Sequence, residues 1–571
     1  MAMQRFHYIL IIAAALVFSG CNRQSDDRVF SEKMGFYLDQ IREGLPPADG
    51  IMIYNPEMIL HLYDTEKEFV VAKWDNWENV DQMLNSIRNS YYHGLRPGDY
   101  HLSAIYDHIN MLASSRDADP ARQAAFDLLL TDSFLLLGAH LAAGKVDPLA
   151  GEPRWSASGV DIGQDWLELM EESLAKGQVA RNLRKLAPLH DEYTELMESL
   201  AWHRRIERND GWKLFLPETP LEKGVRHDDV VLLRERLDPF MEHQPGDTSD
   251  KDLFDDRLHR QVKLFQRTNG LEAHGVVDRA TVEAMNISVY DRISVIKANL
   301  DRWRRLDYPG DHYIAVNIPE FELSYVKGGK NILTMPVILG KPDRQTPVFS
   351  SEITRIEFNP FWFVPPGMLR RTILPAVRRD STYLEKRNME VLDQDWRPVD
   401  PGSIDWNSVP GNEFPFIIRQ RPGPGNEMGQ VKFLFPNRHF VTIHGTPYLH
   451  LFNRTARALS NGCIRVRTPI QLAAAMLDGQ DDLTMENILE ILDTEEFTRV
   501  NIDNPLRLHV FYFTAWAGEE GQTHFRDDVY SLDQDLIAAI EQLPPYPEQP
   551  LRIEYPSGMA TIGETEDSGD E

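Results

Sequence analysis

A chain of 571 residues is too long for one hydrophobic core, so it divides into about three domains. With 42% apolar and 10% aromatic residues it can bury real cores, which excludes a disordered chain. A net charge of −28 excludes a nucleic-acid binder, which needs a basic face.

Arg5 precedes the apolar run 8–18, which is too short to span a bilayer comfortably; residues 1–20 read as an export signal. Ser19-Gly20-Cys21 resembles the end of a bacterial lipobox, with Phe18 where leucine is usual. That resemblance implies a lipidated Cys21, a tether over 21–35 and a periplasmic location, with Asn22 favouring the outer over the inner membrane. The periplasm is oxidising, and Cys463, the chain's other cysteine, would have no disulfide partner there. An unpaired thiol in that compartment is a liability unless chemistry requires it.

Residues 36–210 repeat apolar side chains at three- and four-residue spacing and read as a helical scaffold, with Gly94 and Gly144 as helix ends. Residues 211–290 carry two amphipathic segments, around Leu232, Leu233 and Leu237 and around Val262, Leu264 and Phe265. Asn269-Gly270 ends the second, and Thr281 is expected to cap a third. The order "VKLFQRTNGL", "GVVD", "T..AMN" resembles the small three-helix peptidoglycan-binding domain, with an insert near 243–252 and His274 at a position often acidic. His227, His259 and His274 lack close ligand spacing and read as surface or capping residues rather than a metal site.

After a helix at 291–306 the period changes to alternation, and "YIAVNIPEFELSYV", "ILTMPVILG", "ITRIEFNPFWFVP", "VKFLF", "HFVTIH" and "LRLHVFYFTAW" read as strands. Residues 291–535 thus form a β-rich domain. A stretch at about 367–430 loses the alternation and reads as an insertion folding over the sheet. Residues 536–571 read as a tail, acidic and disordered at the end.

In "HFVTIH", alternation sets Phe440, Thr442 and His444 on one face, with His444 at a sheet edge before Gly445. In "SNGC", Gly462 allows backbone conformations closed to other residues, and the amides of Gly462 and Cys463 can point at a developing oxyanion. Thr468-Pro469 is a helix start. A neighbouring imidazole can take a thiol proton, and Arg465 and Arg467 add positive potential. On pattern alone a buried core cysteine remains the default reading, because free cysteines are among the most buried residues.

"IHGTP…LFNRTARALSNGCIRV" resembles the signature of the YkuD-type L,D-transpeptidase catalytic domain, and "FNPFWFVPP" with "RQRPGPGNEMGQVKFLFPN" resembles its YcbB-like periplasmic branch. The resemblance implies a multidomain α+β protein: helical scaffold, peptidoglycan-binding-like domain, and β-sheet-rich catalytic domain with a capping insertion. It implies Cys463 as nucleophile, His444 as general base and acid, and the Gly445 carbonyl as the group orienting the imidazole. Ser460, Asn461 and Gly462 would shape the oxyanion turn, and Arg465 would meet substrate; Trp362, in "NPFWFVP", reads as a core residue or as one that lines the donor groove and meets substrate. Asn461 and Gly445 depart from the family's usual histidine and aspartate.

The implied reaction is acyl transfer between peptidoglycan stems through a cysteinyl thioester, releasing D-Ala and forming a 3→3 diaminopimelate crosslink. No cofactor or metal enters it, and His439 and His450 beside the motif are not read as ligands. Carbapenems are the expected inhibitors. Residues 365–470 hold 15 Lys/Arg against 9 Asp/Glu, a basic patch suited to carboxylate-rich stems. Hydrolysis or D-amino-acid exchange with the same nucleophile, and a catalytically decayed wall-binding scaffold, are the competing readings.

Overall fold

The computed structural model describes residues 23–545 apart from 48–49, 64–68, 115–118, 238–249, 307–309, 410–413, 481–482 and 519–520. The expected export signal, Cys21 and the acidic end of the chain lie outside the described residues, as does most of the insert near 243–252.

The expected tether is in large part structure: residues Arg23–Arg42 are a helix. Phe30, Met34, Leu38 and Ile41 recur at helical spacing and are buried in the helical domain. Each such side chain contributes about 1.5–3 kcal/mol by leaving water. At the centre of this domain runs the helix Pro120–Ala143, capped by Asp119 and ended at Gly144, whose φ is 79°. It is long and apolar enough to cross a membrane, but it is entirely buried beneath the surrounding helices.

The next unit packs three helices, Asp228–Leu237, Asp256–Thr268 and Arg279–Met285, around Leu233, Phe254, Val262 and Met285. The third helix is capped by Asp278, which accepts from the Thr281 amide; Thr281 is inside the helix and bonds back to that cap. His227 and His274 accept backbone N–H groups locally, from Asp229 and Val276.

Two boundaries differ from the sequence reading. The helix Val289–Trp303, expected to open the catalytic domain, buries Ile293, Ile296 and Leu300 in the helical domain's core. Its apolar stripe is thus spent on helix–helix packing and not on the sheet. The expected tail begins as structure too: helix Asp533–Glu541 sets Ala539 and Ile540 against Val146 and Ala298.

The β-domain comprises β1 (His312–Asn317), β2 (Glu322–Lys327), β3 (Lys330–Gly340), β4 (Phe349–Phe358), β5 (Trp362–Phe363), β6 (Met389–Leu392), β7 (Pro398–Val399), β8 (Ile417–Gln420), β9 (Val431–Leu434), β10 (Ile443–His444), β11 (Ala458–Ser460), β12 (Ile464–Val466) and β13 (Thr498–Phe511). The main sheet runs β11-β3-β12-β10-β9-β4-β13-β1-β2, and pairing of β2 with β3 closes it on itself. Its core is mostly Val, Ile, Leu and Phe, including Ile356, Phe433, Ile443 and Ile464.

The insertion lies between β4 and β9, which are antiparallel neighbours joined at Phe358↔Val431. It therefore spans 359–430 and starts earlier than expected, because β5 pairs with β8 and not with the barrel. Its own sheet runs β5-β8-β6-β7, over a core containing Trp362, Leu369, Ile373, Leu384 and Ile418. A short hairpin, β14 (Ala515–Ala517) with β15 (Thr523–Phe525), follows β13 and packs on the helical domain.

Candidate active site

The strand read from "HFVTIH" is only two residues long. Asn437 bends the chain before it, accepting from the His439 and Val441 amides and donating to the carbonyls of Phe435 and Val441. Phe440 lies in that turn at φ 56° and is exposed. His444 is accordingly not at a sheet edge. It pairs with Lys432 of antiparallel β9 and with Arg465 of parallel β12, and it is buried.

The parallel register decides what meets. Ile443 faces Ile464 and His444 faces Arg465, and the Ile464 amide donates to Thr442 O at 3.0 Å. Continuing the pairing sets Cys463 beside Thr442, so Thr442, His444, Cys463 and Arg465 share one face. The Cys463 sulfur accepts from Thr442 Oγ1 at 3.8 Å; no hydrogen bond joins it to the imidazole in this resting arrangement. Such contacts commonly tighten only when substrate binds.

The His444 ring donates from Nδ1 to the Gly445 carbonyl at 2.6 Å, which fixes the tautomer and leaves the Nε2 lone pair as the basic site. Burial, reinforced by the Arg465 charge, pushes the ring down to about 3, against the opposing pull of the Gly445 carbonyl. The resting imidazole is neutral at physiological pH, as an acceptor of the thiol proton must be.

Glycine at 445 has a packing reason: a Cβ there would meet Pro469 Cγ at 3.1 Å and Gly429 Cα at 3.4 Å. The converse is tighter, because a Cβ at Gly429 would lie 2.6 Å from the Thr446 amide nitrogen. Two glycines thus let the end of the insertion lie backbone to backbone on the histidine loop.

The turn before the thiol is held from both sides. Gly462 has φ 113°, a region that favours glycine. Its amide donates to Ser460 Oγ at 3.1 Å, and Ser460 Oγ donates to the Cys463 carbonyl at 2.7 Å. The Gly462 amide is therefore engaged within the turn, and of the two expected oxyanion donors only the Cys463 amide is outside that hydrogen-bond ring. Beneath it, Thr346 donates to Gly462 O and accepts from the Gly340 amide, both at 2.9 Å. Tyr530 donates to Gly340 O at 2.7 Å and accepts from the Thr346 amide at 3.1 Å. Neither Thr346 nor Tyr530 stands in a motif; their only signal is that polar groups buried this deeply must be bonded.

Asn461 is exposed and accepts from Arg344 Nη1 at 2.5 Å, while its amide lies 4.0 Å from Met368 Sδ of the insertion. The helical turn after Met368 carries the exposed Arg370 and Arg371. Of the two readings of Trp362 the structure has the core one: it is 6% exposed and belongs to the insertion's hydrophobic centre, so it is not placed to meet substrate. Thr468 does not cap the following helix; its hydroxyl turns to Met335, and Pro469 alone marks the first turn.

Sequence reasoning missed Glu427, which ties the insertion to the site. It accepts from Tyr448 at 2.7 Å and lies 3.5 Å from Arg387 and 4.0 Å from Arg465. Arg465 Nε is nonetheless buried without a partner, so the guanidinium retains hydrogen-bonding capacity.

Residues 311–492 match the family model described as "L,D-transpeptidase catalytic domain" (YkuD). Residues 70–200 match "Scaffold domain" and 226–285 match "Putative peptidoglycan binding domain". A Haemophilus influenzae protein named "Putative L,D-transpeptidase" is 36% identical over 228 residues, 40% of this chain and 45% of that protein; the chain thus spans less than half of it. A solved L,D-transpeptidase from Xylanimonas cellulosilytica aligns over 52% of this chain and 99% of its own, at 14% identity and a TM-score of 0.17.

Proposed function

From a chain that carries a YkuD-type L,D-transpeptidase catalytic domain and a peptidoglycan-binding domain, we infer an enzyme that forms 3→3 crosslinks between peptidoglycan stems. The observation that carries this reading is the parallel pairing of β10 with β12, which sets Cys463, the residue just before β12, next to the strand that carries His444, with Nδ1 of the ring already bonded to the Gly445 carbonyl.

His444 Nε2 takes the Cys463 proton, and the thiolate attacks the carbonyl of the donor's third residue. The oxyanion accepts from the Cys463 amide. Collapse breaks the peptide bond, His444 returns its proton to the leaving amine, and D-Ala departs, leaving a thioester. The side-chain amine of a second diaminopimelate then attacks, gives its proton to His444 and releases the thiolate.

A base held down to about 3 is a poor acceptor until its surroundings change. A stem carboxylate beside the partly exposed Arg465 guanidinium would offset the charge that opposes protonation of His444, so donor binding itself would raise the ring's basicity. Arg370 and Arg371, on the turn after Met368, offer further positive charge to the same carboxylates. We further propose export to the periplasm with a lipid anchor on Cys21; Cys21→Ser should then release the protein from the membrane fraction.

The test is a digest of disaccharide-tetrapeptide incubated with the purified protein. The expected products are free D-Ala and a 3→3 dimer in equal amounts. Tripeptide monomer alone would replace crosslinking by hydrolysis.

A further inference from the structure

A cleft of about 420 Å³ opens where the helical domain, the peptidoglycan-binding-like domain and the hairpin β14–β15 meet, and none of its walls comes from the barrel. Its volume falls in the roughly 300–1,000 Å³ range of small-ligand sites, which favour domain junctions. Helix Asp191–Glu207 contributes Ser199, Trp202 and His203, the following loop Trp212, helix Asp256–Thr268 Gln261, and the hairpin Thr523.

The walls are aromatic with polar edges. Trp202 and Trp212 are both half-buried. The His203 ring stands edge-on to Trp202, Trp212 and Phe525. Its Nδ1 donates to Ser199 O at 2.9 Å, and its Nε2 is buried with no partner. Burial holds this ring down to about 4, so that nitrogen is an acceptor.

The cleft's charges nearly balance, with Arg205, Arg236 and Arg292 against Glu195 and Glu198. Arg236 lies 4.1 Å over the Trp212 ring and Arg292 4.1 Å over Phe525, where they brace the aromatic walls. Arg292 also bonds the neutral acceptors Asn269 and the Ala284 carbonyl. Glu195 and Glu198 stand with Arg205 among the same lining residues. A mixed-charge, indole-walled cleft edged by amides and hydroxyls matches a ligand with flat apolar faces and hydroxyl or amide edges, which describes a pyranose bearing N-acetyl groups.

We propose that this junction cleft binds the glycan strand of peptidoglycan through its uncharged N-acetyl amino sugars, leaving the stem carboxylates to the basic patch around the insertion. The inference rests on the peptidoglycan reading above. It assigns glycan binding to a surface shared by three segments instead of the small domain alone, which would fix the spacing between a held strand and Cys463.

The test is calorimetric titration of the purified protein with tetra-N-acetylchitotetraose and, separately, with a stem tetrapeptide. The sugar should bind, and Trp202→Ala should weaken it about tenfold or more. Hydrogen exchange on the wild-type protein needs no variant and should show sugar-dependent protection along helix Asp191–Glu207 and at Thr523–Phe525. No heat with the sugar, equal affinity in Trp202→Ala, or protection confined to other surfaces would overturn the proposal. Carbapenem acylation of the same preparation reads Cys463 independently. An adduct without sugar binding sinks only this inference, and sugar binding without an adduct sinks only the transpeptidase reading.

Discussion

The barrel around Cys463 and the insertion above it are built on different terms. In the barrel, His444 is paired on both sides, its ring is tied to a carbonyl, and the Gly462 turn rests on Thr346 and Tyr530. The insertion has its own small sheet and core, and meets the site through few groups: Glu427, the Met428 carbonyl against the His444 ring, the Gly429–Gly445 approach and the Met368–Asn461 contact. The contrast teaches a division of labour. Proton transfer needs groups fixed to a fraction of an ångström, which buried strands supply; on the proposed reading, admitting a bulky stem needs a cover whose own core lies apart from them.

Three substitutions and one pH change test that division, beginning with the largest effect. His444→Ala should lower acyl transfer by about 10²–10⁴-fold while lowering the melting temperature by only a few degrees, read from kcat/KM and calorimetry. A mild effect would break the claim that the barrel holds the base. Arg465→Met should cost about 10–100-fold in kcat/KM for donors with a free stem carboxylate, and less for amidated donors. Equal losses for both would remove Arg465 from carboxylate recognition.

Glu427→Gln should change activity only severalfold, chiefly through KM, because it loosens the insertion without touching the reacting atoms. A collapse of kcat would mean the insertion is part of the catalytic geometry.

The remaining test is acid, read on stability and not on rate. Burial holds His93 and His140 down to about 3 in the helical domain, as it does His444 in the barrel. These groups bind protons more readily unfolded, so stability is fully present above about pH 6.5, the ordinary histidine value, and is lost as pH falls from there toward 3. By pH 4 each contributes a loss of up to about 3 kcal/mol. The insertion, 359–430, contains no histidine. Hydrogen exchange should therefore show the helical domain and barrel opening as pH drops from 7 to 4, before the insertion's own sheet. Simultaneous loss of protection everywhere would make the insertion a cooperative part of the barrel.

What could be read from sequence was what lies close along the chain or repeats at a fixed period. Cys463, Ser460 and Gly462 fall within four residues, and the Gly445 carbonyl follows His444 directly, so their proximity needed no tertiary information. The helical scaffold was legible from its apolar spacing. Alternation over-read "HFVTIH" because nothing in the pattern marks Asn437 as the side chain that bends the chain out of the strand. It also left Trp362 without a partner, since a separate core in the insertion is visible only once β5 is seen to pair with β8. Thr346, Glu427 and Tyr530 come from three distant segments and converge on the site only through topology.

The central claim is that Cys463 is an acylated nucleophile, and intact-protein mass spectrometry after incubation with a carbapenem tests it most directly. The wild-type protein should gain the mass of one ring-opened drug, and Cys463→Ala should gain none. No adduct on the wild type, or an equal adduct on Cys463→Ala, would contradict the account.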